Sequence, residues 1–174
     1  MRLGGRMSKA SNIFDDVVVH YTVLEGADKN TYPNDGEKLS INASFSPHFG
    51  LMRLGIHHER LPPGRRLSWP HAEADEEEFV YVVEGTPDLW LDGQVRRLKE
   101  GDAVGFPSGT GIAHTFINNT QSDVRFLVAG EAFRKRSRIH YPLHPKHNAE
   151  LGDLHWKTVP DRPLGPHNGK PDKV

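Results

Sequence analysis

The sequence predicts an all-β protein, a sandwich or a barrel, and three observations carry that expectation. Short apolar or alternating runs fill residues 41–130, cut every eight to twelve residues by turn chemistry. Asp92-Gly93 separates Leu89-Trp90-Leu91 from Val95-Arg96-Arg97-Leu98, and both turn residues tolerate the positive φ of a type I′ hairpin. No stretch holds a 3.6-residue period long enough to specify a helix.

In chain order, residues 1–40 form a polar N-terminal segment with one β-like run, Val17–Leu24, closed by Glu25-Gly26. Its first residues, Met1–Arg6, are expected to be marginal to the fold, because Met7 could equally begin the functional chain. Residues 41–130 form the barrel. Its turns fall at Ser46-Pro47-His48, Pro62-Pro63-Gly64, Glu84-Gly85-Thr86-Pro87, Glu100-Gly101-Asp102, Pro107-Ser108-Gly109 and Asn118-Asn119-Thr120. Residues 131–174 change character, holding six of the 13 prolines and five of the 11 histidines. They read as an irregular, locally basic arm laid along the barrel or across a neighbouring subunit, with disorder as the competing description.

Composition excludes several functions. The chain of 174 residues has no cysteine, which removes disulfides, thiol nucleophiles and Cys-based zinc sites. Its net charge of -1 offers no bulk attraction to nucleic acid or anionic membranes. No apolar run approaches the roughly 20 residues that a membrane-spanning helix needs. The N-terminus carries charge without an apolar stretch behind it, so no secretory signal is expected and the cytoplasm is the expected compartment. Ser108 lacks a Gly-x-Ser-x-Gly elbow, and neither a phosphate loop nor a dinucleotide fingerprint is present.

The chemistry concentrates in two segments. In the first, His71 and Glu73 point to one face if the chain is extended there. Glu78 shares the parity of Val80 and Val82, so it points inward if they do, with Glu77 the alternative should the turn differ by one residue. In the second, His114 opens a strand with Phe116 and Asn118 on its side. Two imidazoles and two carboxylates are an ordinary shell for a divalent metal. His57-His58-Glu59 lacks the second His of a zinc helix motif and precedes Pro62-Pro63, so a strand is expected, with at most one of the two histidines near the pocket. Arg53 and Trp90 are further inward candidates of undetermined parity. His140, His144 and His147 are expected at the surface of the arm rather than in a second metal site.

These segments resemble the paired motifs of the cupin superfamily. Gly64, His71, Glu78 and Gly85 match the first motif with one extra residue between Gly64 and His71. Gly101, Pro107, Gly109, His114 and Asn118 match the second with two extra residues before His114. Phe106–Phe116 looks most like small bacterial single-domain cupins without an assigned reaction. The resemblance implies a double-stranded β-helix, a jelly-roll barrel with a metal inside. One departure stands out: Glu73 occupies the place of the second histidine of His-x-His. The implied ligands are then His71, Glu73, Glu78 and His114, holding one divalent ion per chain. Zinc is the ion expected in purified protein, and Mn, Fe or Ni would suit the same donors.

The expected function is a metalloenzyme acting on a small polar molecule by oxygenase, isomerase, decarboxylase or lyase chemistry; the sequence names no general base. The alternative is a non-catalytic barrel that binds a sugar or small acid, which the lack of a recognisable fused domain makes harder to connect to a signal. The bland reading of His71 and His114 is a pair of hydrogen-bonded barrel histidines without metal. A homodimer is expected, since pairing would cover exposed sheet edges.

Overall fold

The computed structural model describes residues 13–132 and 137–172; the expectations for Met1–Arg6 and Met7 lie outside them. The described chain runs α1 (Ile13–Val17), α2 (Tyr21–Leu24), β1 (Ile41–Ser44), α3 (Phe45–Phe49), β2 (Leu54–Leu61), β3 (Ala72–Glu73), β4 (Glu78–Glu84) and β5 (Asp88–Leu91). It continues with β6 (Gln94–Arg97), β7 (Ala103–Phe106), β8 (His114–Ile117), β9 (Val124–Glu131), β10 (Ile139–His140) and α4 (Pro145–Glu150).

Antiparallel pairing orders one sheet as β1-β2-β9-β4-β7 and a second as β6-β5-β8. The short β3 pairs with β10. Single bridges, Arg66 to Ile117 and His71 to His114, tie the extended chain before β3 to the free side of β8. The two faces enclose a jelly-roll barrel, the double-stranded β-helix that the motifs imply. The β5–β6 hairpin turns on Asp92 (φ 44°) and Gly93 (φ 83°), as a type I′ turn requires.

Period-2 patterning decides which side chains fill the barrel. Leu61 of β2, Val80 and Val82 of β4, Phe116 of β8, and Val124, Phe126 and Val128 of β9 form the apolar core. Their odd-numbered neighbours on β4, Phe79, Tyr81 and Val83, stand on the outer face and are exposed. A second buried cluster, Ala72, Trp90, Ala113, Ile117 and Trp156, lies between the small sheet and the C-terminal arm.

That arm packs on its own barrel. Trp90 Nε1 donates to the carbonyl of His167 (2.9 Å), and Arg66, almost wholly buried, donates to the carbonyl of Gly169 (2.9 Å). Arg66 also forms a two-point pair with Glu37, so one guanidinium holds both terminal segments.

The strand expected at Val17–Leu24 does not form. Two helical turns, α1 and α2, replace it, and only Glu25 bridges to Ala43 of β1. A β-branched run becomes a strand only where a ladder takes its backbone groups. Here His20 caps α2 by accepting from Thr22 N–H, and Tyr21 stacks on His58 at 4.1 Å. Val17, Val18 and Val23 consequently remain exposed.

Candidate metal centre

The backbone brings the two histidines together first. His71 N–H donates to the carbonyl of His114 (3.2 Å), and His114 N–H donates back (2.9 Å). As bridge partners their side chains leave the backbone side by side, with ring centroids 4.9 Å apart. Glu78 opens β4 with the inward parity of Val80 and Val82, opposite Phe106 of β7 and Gly130 of β9. Its Oε2 lies 3.2 Å from His114 Nε2. One ligand atom each of His71, Glu78 and His114 fall within 4.8 Å of one another. Glu77, the alternative, is exposed.

The surroundings orient these groups. Trp69 carbonyl lies 2.8 Å from His71 Nδ1, which directs the ring's other nitrogen to the cluster. The Phe106 ring stacks on His114 at 3.5 Å, nearly parallel, and fixes its plane. Burial and the neighbouring His114 push His71 down to about 4, so it is a neutral nitrogen donor at pH 7. Burial alone would raise Glu78, but the hydrogen bond and charge of His114, with the charges of His71 and His57, hold it below the ordinary carboxylate value. Two imidazoles beside a buried carboxylate are a donor set that fits a divalent cation.

Glu73 occupies a different position. It lines a small cavity with Glu76, Glu78 and His114, yet it is not among the residues whose ligand atoms cluster within 4.8 Å. It lies on β3, which is only two residues long and pairs with β10 of the arm. Burial, and then the charges of Glu76 and Glu78, push Glu73 up to about 8.

A cavity of about 240 Å³ opens beside the cluster, lined by Gly55, His57, Glu73, Glu76, Glu78, Val128, Gly130 and Glu131. His57 is therefore the histidine of the His57-His58 pair that reaches the pocket; His58 faces Tyr21 on the outside. Behind His57 stands Glu59, 5% exposed, its Oε1 2.7 Å from His57 Nδ1. Sequence reading missed Glu59, although it shares the parity of Leu61 on β2. Trp90 does not line this cavity, being buried under the arm, and Arg53 is exposed. Asn118 is a staple: its amide donates to the carbonyls of Leu61 and Ser122, both at 2.8 Å. His144 stacks on Trp69 at 3.8 Å and His140 pairs with His155, so these arm histidines pack away from the cluster.

Comparison with known proteins agrees with this architecture. The family profile described as the cupin domain matches residues 57–130. A solved candidate sugar phosphate isomerase of Acidithiobacillus ferrooxidans is 31% identical, with 66% of this chain and 71% of that chain covered and a TM-score of 0.60. A sugar phosphate isomerase of the cupin superfamily from Silicibacter pomeroyi is 30% identical, over 59% of this chain and 64% of that one, with a TM-score of 0.56. An uncharacterised protein of Aquifex aeolicus is 26% identical over 74 residues, 42% of this chain; the match spans 60% of the length of that curated relative. With both motif histidines, Glu78 and the barrel in place, the chain belongs to the cupin superfamily, as a cupin-2 type protein.

Proposed function

We propose that this protein is a metal-dependent cupin enzyme that isomerises a small polyhydroxylated carbonyl compound, with His71, Glu73, Glu78 and His114 holding one divalent ion. The observation that carries the reading is the His71–Glu78–His114 cluster, which shares the Glu78 wall with a cavity of about 240 Å³. The names of the two solved relatives described above support the sugar class. When bound, the ion would supply a Lewis acid able to polarise a carbonyl.

The chain's own residues prepare that chemistry. Trp69 carbonyl and the Phe106 ring hold the two imidazoles in one orientation, so little reorganisation accompanies binding. Glu78 supplies fixed negative charge. Glu73 is held protonated near neutral pH without an ion, and a cation beside it would favour its ionised form.

A soluble cytoplasmic homodimer is part of the proposal. Among the described residues no helix is long and apolar enough to cross a membrane. Phe79, Tyr81, Val83 and Leu127 expose an apolar outer sheet face that a second copy would cover.

The test is metal analysis of freshly purified protein, followed by incubation of the zinc-, manganese- or iron-loaded chain with neutral and phosphorylated aldoses and ketoses. One equivalent of metal per chain and interconversion of at least one pair are expected. Saturable sugar binding without turnover would establish the non-catalytic reading instead. Protein that stays metal-free under every loading condition would remove the metal from the account.

A further inference from the structure

We propose that His57 is the proton-transferring residue of this site and that Glu59 positions it; this rests on the isomerase reading above and names the group that would move the proton. The sequence offers no base by motif, whereas the fold builds one from the inner face of β2. His57 lines the cavity and is partly exposed to it, with 31% of its side chain accessible. Its Nδ1 lies 2.7 Å from Oε1 of Glu59, and the same oxygen accepts from Asn42 Nδ2 on β1 at 2.7 Å. Glu59 Oε2 is buried and meets no donor.

A buried carboxylate with one unmet oxygen is costly, and an apolar residue would fill that place at less cost, as Leu61 does two positions on. The arrangement makes chemical sense as an orienting device. Glu59 Oε1 at hydrogen-bond distance from Nδ1 orients the ring so that Nε2 is the nitrogen left for the cavity. The ring nitrogens of His57 do not join the 4.8 Å ligand cluster, so this imidazole is free to exchange protons. Glu78 lines both the cluster and the cavity, hence a molecule filling the cavity meets His57 and the Glu78 edge of the cluster together. The groups that share the cavity with His57 are Glu73 of β3, Glu76 of the next turn, Glu78 of β4 and Glu131 of β9.

The step balances without an oxidant. Nε2 takes the proton from the carbon beside a carbonyl, and the C–H electron pair becomes the C=C bond of an enediol as the carbonyl oxygen gains a proton from water. His57 then returns its proton to the former carbonyl carbon while the other hydroxyl loses one, which gives the isomeric carbonyl.

The experiment follows deuterium entering dihydroxyacetone in D₂O by proton NMR, with zinc-loaded protein and its His57→Asn, His57→Gln and Glu59→Gln variants. Zinc stoichiometry and melting temperature are measured on each protein. On ¹⁵N-histidine-labelled zinc protein, long-range ¹H–¹⁵N spectra read the tautomer of His57. The expected results are zinc binding and melting unchanged, exchange slowed about 100-fold in both His57 variants, and about 10-fold in Glu59→Gln with an altered pH profile. His57 should carry its proton on Nδ1 and show no metal-induced shift. Zinc loss in both His57 variants would make the residue a ligand and overturn the proposal. Exchange as fast in the variants as in the parent would also overturn it, leaving the isomerase reading intact. Failure of the zinc-loaded parent to exchange at all would overturn both.

Discussion

The two ends of this barrel are made by the same strands and do opposite things. On β4, Glu78 and Val82 point into one interior, yet Val82 is sealed among Phe126 and Leu61 while Glu78 meets two imidazoles and a cavity. On β8, His114 and Phe116 repeat the contrast. Inward parity is therefore only half of what makes a site. The other half is position along the strand: the closed end is filled by apolar volume, and the other end carries polar groups beside open space.

The largest effect should come from breaking the closed end. Phe126→Ala removes a fully buried ring and should cost about 3–5 kcal/mol, read from urea unfolding, whereas Phe79→Ala on the outer face of the same sheet should cost under about 1 kcal/mol. At the open end the order reverses between stability and binding. His114→Ala should lower zinc affinity by about 100-fold or more in competition with a chelator, while destabilising the metal-free barrel less than Phe126→Ala does.

Glu73 sharpens the comparison, because it lines the open end without joining the tight cluster. Glu73→Gln should lower zinc affinity about 10-fold, and Glu76→Gln should leave it nearly unchanged. Equal losses would mean that the acidic turn acts as a diffuse field. Since Glu73 is pushed up to about 8, zinc binding at pH 7 should release about one proton if its carboxylate ligates, and calorimetry in buffers of different ionisation enthalpy would count it. No release in the parent protein would make His71, Glu78 and His114 the whole protein shell.

The smallest effect concerns the arm. Burial, with the charge of Arg66, pushes His144 down to about 4 from the ordinary 6.5. Between those values the unfolded chain binds a proton that the folded chain does not, so stability should fall as pH drops from 6.5 to 4. His71, pushed down to about 4, adds a loss of the same sign in metal-free protein. His144→Phe keeps a ring against Trp69 and removes one titration, and should flatten the acid slope of the melting temperature without abolishing it. An unchanged slope would mean that the arm stack does not sense protonation.

Much of the open end was legible in the sequence. The spacing of Glu78, Val80 and Val82 gave one face, the turn at Pro107-Ser108-Gly109 delivered His114 to the start of a strand, and Asp92-Gly93 closed its hairpin as read. The His57–Glu59 pair was half legible: β2 was expected as a strand, but parity leaves His57 and His58 equivalent until the sheet has an inside. Glu59 escaped because a glutamate in a strand is ordinarily a solvent residue, and nothing local reveals that Asn42 and His57 surround it. Val17–Leu24 misled for the opposite reason. Its β-branched residues carry strand propensity, but propensity without a ladder partner does not make a strand, and His20 and Tyr21 favoured a helical turn against β1 and β2.

By itself the sequence determined the alternation, the turns and the motif residues, because these are local consequences of side-chain period and permitted φ. Only the tertiary structure decided that His71 and His114 are bridge partners, that Glu73 lies outside the tight His71–Glu78–His114 cluster, and that the arm docks through Trp90, Arg66 and Trp156. Those outcomes depend on contacts between residues distant along the chain, and on which face of each strand the closing barrel turns away from water.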